Sequence, residues 1–127
     1  MYNVEIYLWV NAVLYTVFAI WCLLLPATAG NFTGLTFINT SGRSEFFALY
    51  IGLEAAWAIM FALAAIKPEW QYFGVLYAVF MYAGLVVGRW ISIFQKGISS
   101  NMTYLIAILE IILGTWAVVI LLNHPLS

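Results

Sequence analysis

Four long apolar runs decide what this chain can become: Val4 to Leu25, Glu45 to Ile66, Trp70 to Phe94 and Thr103 to Leu122. Each is about 20 residues or longer, and at ~1.5 Å rise per residue a helix of that length crosses the roughly 30 Å hydrocarbon layer of a bilayer. The runs are too long for buried strands and lack the alternation of barrel strands. With no water to satisfy open backbone groups, helices are then the remaining way across. The sequence predicts an all-α integral membrane four-helix bundle, a single domain over residues 1–127 without internal repeats, whose first partner is the lipid bilayer. Composition agrees, with 66% hydrophobic and only 7% charged residues.

The same scarcity of charge excludes function classes. A net charge of −1 spread over scattered positions offers no basic stripe, so no nucleic-acid partner is expected. The lone Cys22 excludes an intrachain disulfide and a cysteine metal cage, and the single His124 beside Pro125 reads as a surface residue. No metal and no cofactor are expected. Ala27, Thr28 and Ala29 form an A-x-A pattern after the first run, yet that run is too long for a signal peptide core and no basic residue precedes it. The first run is expected to stay as a span.

Four spans return the C-terminus to the face of the N-terminus, side A. Opposite, on side B, lie the long polar connection Pro26 to Ser44 and the connection Gln95 to Met102; on side A lies the hairpin at Lys67, Pro68 and Glu69, where Pro68 suits a helix start. Arg43 and Lys96 on side B against Lys67 on side A leave orientation open under the positive-inside rule. Three N-x-S/T triplets, at Asn31, Asn39 and Asn101, matter only in a secretory-pathway host. Tyr2, Tyr7, Trp9, Trp70, Tyr72 and Tyr104 lie near span ends and read as interfacial anchors.

Small residues mark the expected packing faces: Ala55, Ala58, Ala62 and Ala65 on the second span, Gly84 and Gly88 on the third, Ala107, Gly114 and Ala117 on the fourth. They let backbones approach in lipid, where hydrophobicity alone does not drive association. Gly84 and Gly88, as G-x-x-x-G beside Arg89, are expected to pack inside the protomer, with a dimer contact as the alternative.

The sharpest chemistry is the placement of the few charges. Counted from side B at ~1.5 Å per residue, Glu54, Arg89 and Glu110 lie roughly 13, 8 and 10 Å deep, and Arg43 and Glu45 enter from the same side. A charge at mid-membrane costs on the order of 2.5 to 3.5 kcal/mol, so such residues turn inward and pair. The third and fourth spans form a hairpin, which makes Arg89 with Glu110 the expected ion pair, Tyr82 and Ser92 sharing the face of Arg89. Arg43 is expected to group with Glu45 or the side B loop. Glu54 is then left without a cation, and desolvation favours its protonated form. Together Arg43, Glu45, Glu54, Arg89, Ser92 and Glu110 form the expected intramembrane polar cluster, either register-fixing glue or a functional centre.

With these residues in view, the chain resembles a bacterial family of four-span membrane proteins catalogued as a domain of unknown function, similar in layout to the DoxX-like proteins. The resemblance runs over most of the chain and rests on Arg43-Ser44-Glu45-Phe46, on Gly88-Arg89 followed by Ser92, on Gly97 and on Glu110. Where that family carries a Gly-Gly pair after the arginine segment, this chain has Phe47 and Ala48. The resemblance implies a bacterial inner (cytoplasmic) membrane and the four-span fold, and names no reaction.

Three functions fit. The first is a small bundle that binds a lipid, isoprenoid or other apolar molecule, or docks as an accessory subunit on a larger membrane complex. Its 18% aromatic content, with Trp57, Phe61, Tyr77, Tyr82 and Trp90 in spans, suits that role and ordinary packing alike. The second is a proton-coupled transporter acting as a homodimer, although the first span offers only Asn11 where small multidrug transporters place their essential acid. The third is a membrane enzyme using Glu54 or Glu110 as acid/base, without a His or metal to assist.

Overall fold

The computed structural model describes residues 2–97 and 101–123, with side chains from Val4 onward. The readings for His124 and for residues 98–100 of the third connection lie outside the described residues, and that of Tyr2 as an anchor concerns a side chain outside the description. Six α-helices run in chain order: α1 (Tyr2–Leu24), α2 (Pro26–Thr33), α3 (Thr40–Phe46), α4 (Glu54–Ile66), α5 (Gln71–Lys96) and α6 (Asn101–Asn123). Between α3 and α4, Phe47–Leu53 continues without a break as π-helix, so the second span is one rod from Thr40 to Ile66. A 3-10 turn, Pro68–Trp70, starts the third. Four of these rods are long and apolar enough to cross a membrane: Val4–Leu24, Thr40–Ile66, Pro68–Lys96 and Asn101–Asn123.

Two features differ from the sequence reading for local reasons. The first connection is not wholly loop: Pro26 opens α2, where its fixed φ suits a first turn, and Gly34 closes it at φ 84°. The N–H of Leu35 reaches back to the carbonyl of Gly30 at 2.6 Å, completing the cap. The second span also starts earlier than its apolar run, because the Asn39 side chain accepts the Gly42 N–H at 2.9 Å and caps the helix from outside.

α1 packs along α4 and the π segment, α5 pairs with α6, and α1 also meets both α5 and α6. The main core fills the side A half: Val4, Tyr7, Leu8 and Ala12 of α1 meet Phe61, Ala64 and Ala65 of α4, Val75, Ala78, Met81 and Tyr82 of α5, and Leu113, Ala117 and Ile120 of α6. Gly74 makes this closeness attainable, since a Cβ there would stand 2.8 Å from that of Ala64. A second cluster in the side B half gathers Cys22, Ala29 and Phe46 with Phe18, Trp21, Phe37, Phe47 and Tyr50, from α1, α2, the second span and, for Phe37, the connection between the last two.

The two halves of the bundle are therefore unlike. Burial along α5 stops at Tyr82, and no residue from Ala83 to Gly97 is fully buried. Among the described residues the π segment approaches α1, α3 and α4, and its backbone comes near neither α5 nor α6. In the side B half the bundle parts into two pairs, α1 with the second span and α5 with α6. The short α2 touches both α1 and α6 at that end.

Candidate functional site

The parting carries the polar residues. On the α5–α6 side, Arg89 Nε donates to Glu110 Oε1 at 2.7 Å and Nη2 to Oε2 at 2.8 Å, a bidentate fork. The side chains are 29% and 10% exposed, so the pair is held within the protein with one edge of the guanidinium open. Gly114, one turn beyond Glu110, lets α6 approach α5: a Cβ there would lie 3.0 Å from that of Tyr82. Ala107 and Ala117 are buried on the same face of α6.

Across the parting, Glu54 begins α4 directly after the π segment and is half-buried. Among the described residues it makes no ion pair and no side-chain hydrogen bond. Its neighbours are aromatic. Tyr50 lies one turn before it in the π segment and Trp57 one turn after; from α1, Tyr15 meets Trp57 edge to face at 5.3 Å and Phe18 leans on Tyr50 at 6.3 Å. The charge of Glu54 is felt at Tyr15, Tyr50 and Cys22, while those of Arg89 and Glu110 reach Tyr50. Tyr15 and Tyr50 are thus both within electrostatic range of the lone acid and of Glu110, and Tyr50 of Arg89 as well. The wider π turn has a physical role here, since one such turn inside an α-helix redirects side chains that a regular helix would aim elsewhere, and π-bulges recur at functional sites.

The floor of the parting is a hydrogen-bonded chain. Tyr15 donates its hydroxyl proton to Tyr82 at 2.8 Å, Tyr82 donates to Asn11 Oδ1, and Asn11 Nδ2 donates to the Tyr7 carbonyl at 2.9 Å. Tyr7 in turn donates to the Leu113 carbonyl at 2.9 Å. Asn11 and Tyr7 are fully buried, so Tyr7 is a core residue and not an interfacial anchor: its donor finds a carbonyl of α6, which removes the reason to seek the interface. Trp9, Trp70, Tyr72 and Tyr104 are exposed near the span ends, as anchors require.

Other expectations need correction. Arg43 and Glu45 are exposed at the side B end and form no ion pair among the described residues; the Arg43 guanidinium lies 4.1 Å from the centre of the Phe47 ring. Residues two apart on a helix do not face each other, whereas a residue four along does. Ser92 is exposed and makes no hydrogen bond among the described residues, although at three residues from Arg89 it stays on the neighbouring face of the helix. Gly84 and Gly88 point outward with no atom within 4 Å of a would-be Cβ, so they do not pack inside the protomer. Only one face of α5 can meet α6, and Tyr82 and Arg89 occupy it. On α4, Ala58 and Ala65 are buried and Ala62 half-buried, while Ala64 and Phe61 share the core. Sequence reasoning missed Tyr15, Tyr50 and the role of Asn11. The visible signal was a buried amide in an otherwise apolar span, a residue that demands partners. Among the described residues no three His, Cys, Asp or Glu side chains converge to hold a metal.

A family model described as the domain of unknown function DUF4345 matches residues 4–121 of the chain. No curated protein and no solved structure matches it.

Proposed function

We propose that this chain, which belongs to the DUF4345 family, binds an amphipathic, lipid-like molecule inside the membrane. The observation that carries the reading is the parting between the π segment and α5, in the half of the bundle where Tyr50, Glu54 and Arg89 are only partly buried. A polar end placed there would satisfy groups that lipid tails leave unsatisfied, and its apolar remainder would lie along the aromatic walls. A molecule of that kind would reach such a site from within the bilayer without crossing water. A bacterial cytoplasmic membrane and a DoxX-like layout belong to the same proposal.

Isolation in mild detergent followed by native mass spectrometry tests it. The wild-type chain should carry a molecule of lipid-like mass, and the Glu54→Leu chain should carry less of it. Equal adduct patterns in the two chains, or none in either, would remove the reading. A second reading, a proton-coupled transporter acting as a homodimer, is favoured by the open space over Gly84 and Gly88, where a helix of a second copy would fit closely. An accessory subunit would use the same face. A ligand-free dimer, or a co-purifying partner chain, would point to these instead.

A further inference from the structure

We infer that the ligand of this site is a lipophilic cation, taken up by Glu54 in exchange for the carboxyl proton. The inference rests on the binding role proposed above and narrows it to a chemical class.

Charge decides the sign. The charge of Arg89 is balanced by Glu110 through both carboxylate oxygens, so that pair is neutral as a unit. Glu54 is the remaining ionisable acid at this depth and has no cation among the described residues. An anionic ligand would add uncompensated charge to a low-dielectric site, at a cost of several kcal/mol. A neutral ligand would leave Glu54 as it is. A cation alone can be compensated from within the site: the carboxyl O–H bond breaks, the proton leaves to water at one membrane face, and the carboxylate pairs with the cation. Net charge in the site is zero before and after.

The walls suit the same class. Tyr50 and Trp57 stand one turn before and one turn after Glu54 on its own span, and Phe18 and Tyr15 of α1 pack on those two rings; aromatic faces attract cations, most strongly when both are desolvated. Two of these rings are fixed at their edges, Trp57 by donating Nε1–H to the Tyr77 hydroxyl at 2.8 Å and Tyr15 by donating to Tyr82. A ring held in place loses little freedom when a ligand arrives. A compact, strongly hydrated cation such as sodium would gain little here, because the site offers one carboxylate and no cage of oxygens. The ionisable groups within electrostatic range of the acid are Tyr15 and Cys22 from α1 and Tyr50 from its own span; Tyr15 and Tyr50 are also in range of Glu110 of α6, and Tyr50 of Arg89 of α5. The phenols and the thiol stay neutral at ordinary pH, which leaves Glu54 as the group that exchanges.

The test uses the full chain in lipid nanodiscs with tetraphenylphosphonium as probe and monoolein as a neutral amphiphile, followed by calorimetry across a pH series. Tetraphenylphosphonium should bind tighter as pH rises, by up to about tenfold per unit while the acid is protonated, since one proton competes for one site. About one proton per cation should appear in weakly buffered solution. Glu54→Gln should abolish the binding while its thermal melt stays near wild type, and Glu54→Asp should retain part of it. A pH-independent affinity, or equal binding to Glu54→Gln, overturns the exchange. If monoolein binds and the cation does not, the cation class fails and the broader binding role stands; if neither binds, both fail.

Discussion

Arg89 and Glu110 illustrate how much a single ion pair contributes inside a membrane. Breaking it from one side leaves an uncompensated charge, typically costing about 3 to 5 kcal/mol, whereas replacing both partners by apolar residues is nearly neutral. Arg89→Met and Glu110→Leu should each lower the thermal midpoint in detergent, and the double variant should regain most of the loss. Additive loss, with no coupling between the sites, would falsify an energetically meaningful pair. Glu54 behaves oppositely: without a cation it is expected protonated at neutral pH, so Glu54→Gln should leave stability within about 1 kcal/mol. An infrared difference spectrum should show a protonated-acid carbonyl band that disappears in this variant; an ionised carboxylate band in its place would sink the expectation. Tyr82→Phe removes the donor to the buried Asn11 oxygen and should cost about 1 to 3 kcal/mol. The charged pair was legible in the sequence, because ions at similar depth on neighbouring spans have few alternatives. The Tyr15–Tyr82–Asn11 chain was not, since neutral polar residues find many partners and their rotamers depend on packing.

Among the elements, the glycines separate the two kinds of helix contact. Gly74 and Gly114 sit where a Cβ would come within 2.8 Å of Ala64 and 3.0 Å of Tyr82. Alanine at either position should destabilise the protomer by about 1 to 3 kcal/mol, as overpacking does, with Gly74 the worse. Gly84→Ala and Gly88→Ala meet open space and should instead be neutral or gain up to about 1 kcal/mol from helix propensity, read by thermal melts of the monomer. If the third helix packed through G-x-x-x-G within the protomer, that order would be reversed. Spacing alone assigned those glycines to the interior because periodicity shows which residues share a face and not which neighbour the face meets. The π segment was equally hidden: Phe47–Leu53 reads as unbroken apolar helix, and nothing in its residue pattern marks the wider turn.

For the whole molecule, four spans require the two kinds of connection to lie on opposite faces. Cysteines placed at Ile38, which is almost fully exposed, and at Lys67 should label from opposite sides of a sealed vesicle, with the native Cys22 buried and silent. Equal accessibility of the two would remove the four-span topology. The packed side A half and the parted side B half also predict unequal protection. Amide exchange should be slowest around Phe61, Val75 and Leu113 and faster from Ala83 to Gly97, where no side chain is fully buried. Uniform protection along α5 would contradict the parting on which the binding role depends.

The amino-acid order by itself determined the solvent, the helical class, the four spans and the pairing of Arg89 with Glu110. These follow from hydropathy, the length of a helix and the cost of a lone charge, quantities that act locally or between adjacent spans. Tertiary structure alone decided that α1 lies against the second span along its length and that α5 leaves the core after Tyr82. It likewise turned Gly84 and Gly88 outward and made Tyr50, Tyr15 and Glu54 neighbours. In lipid every apolar face is equally content with tails or with another helix, so the side on which a bundle opens is set by the summed fit of small residues and rings, which no single run of sequence records.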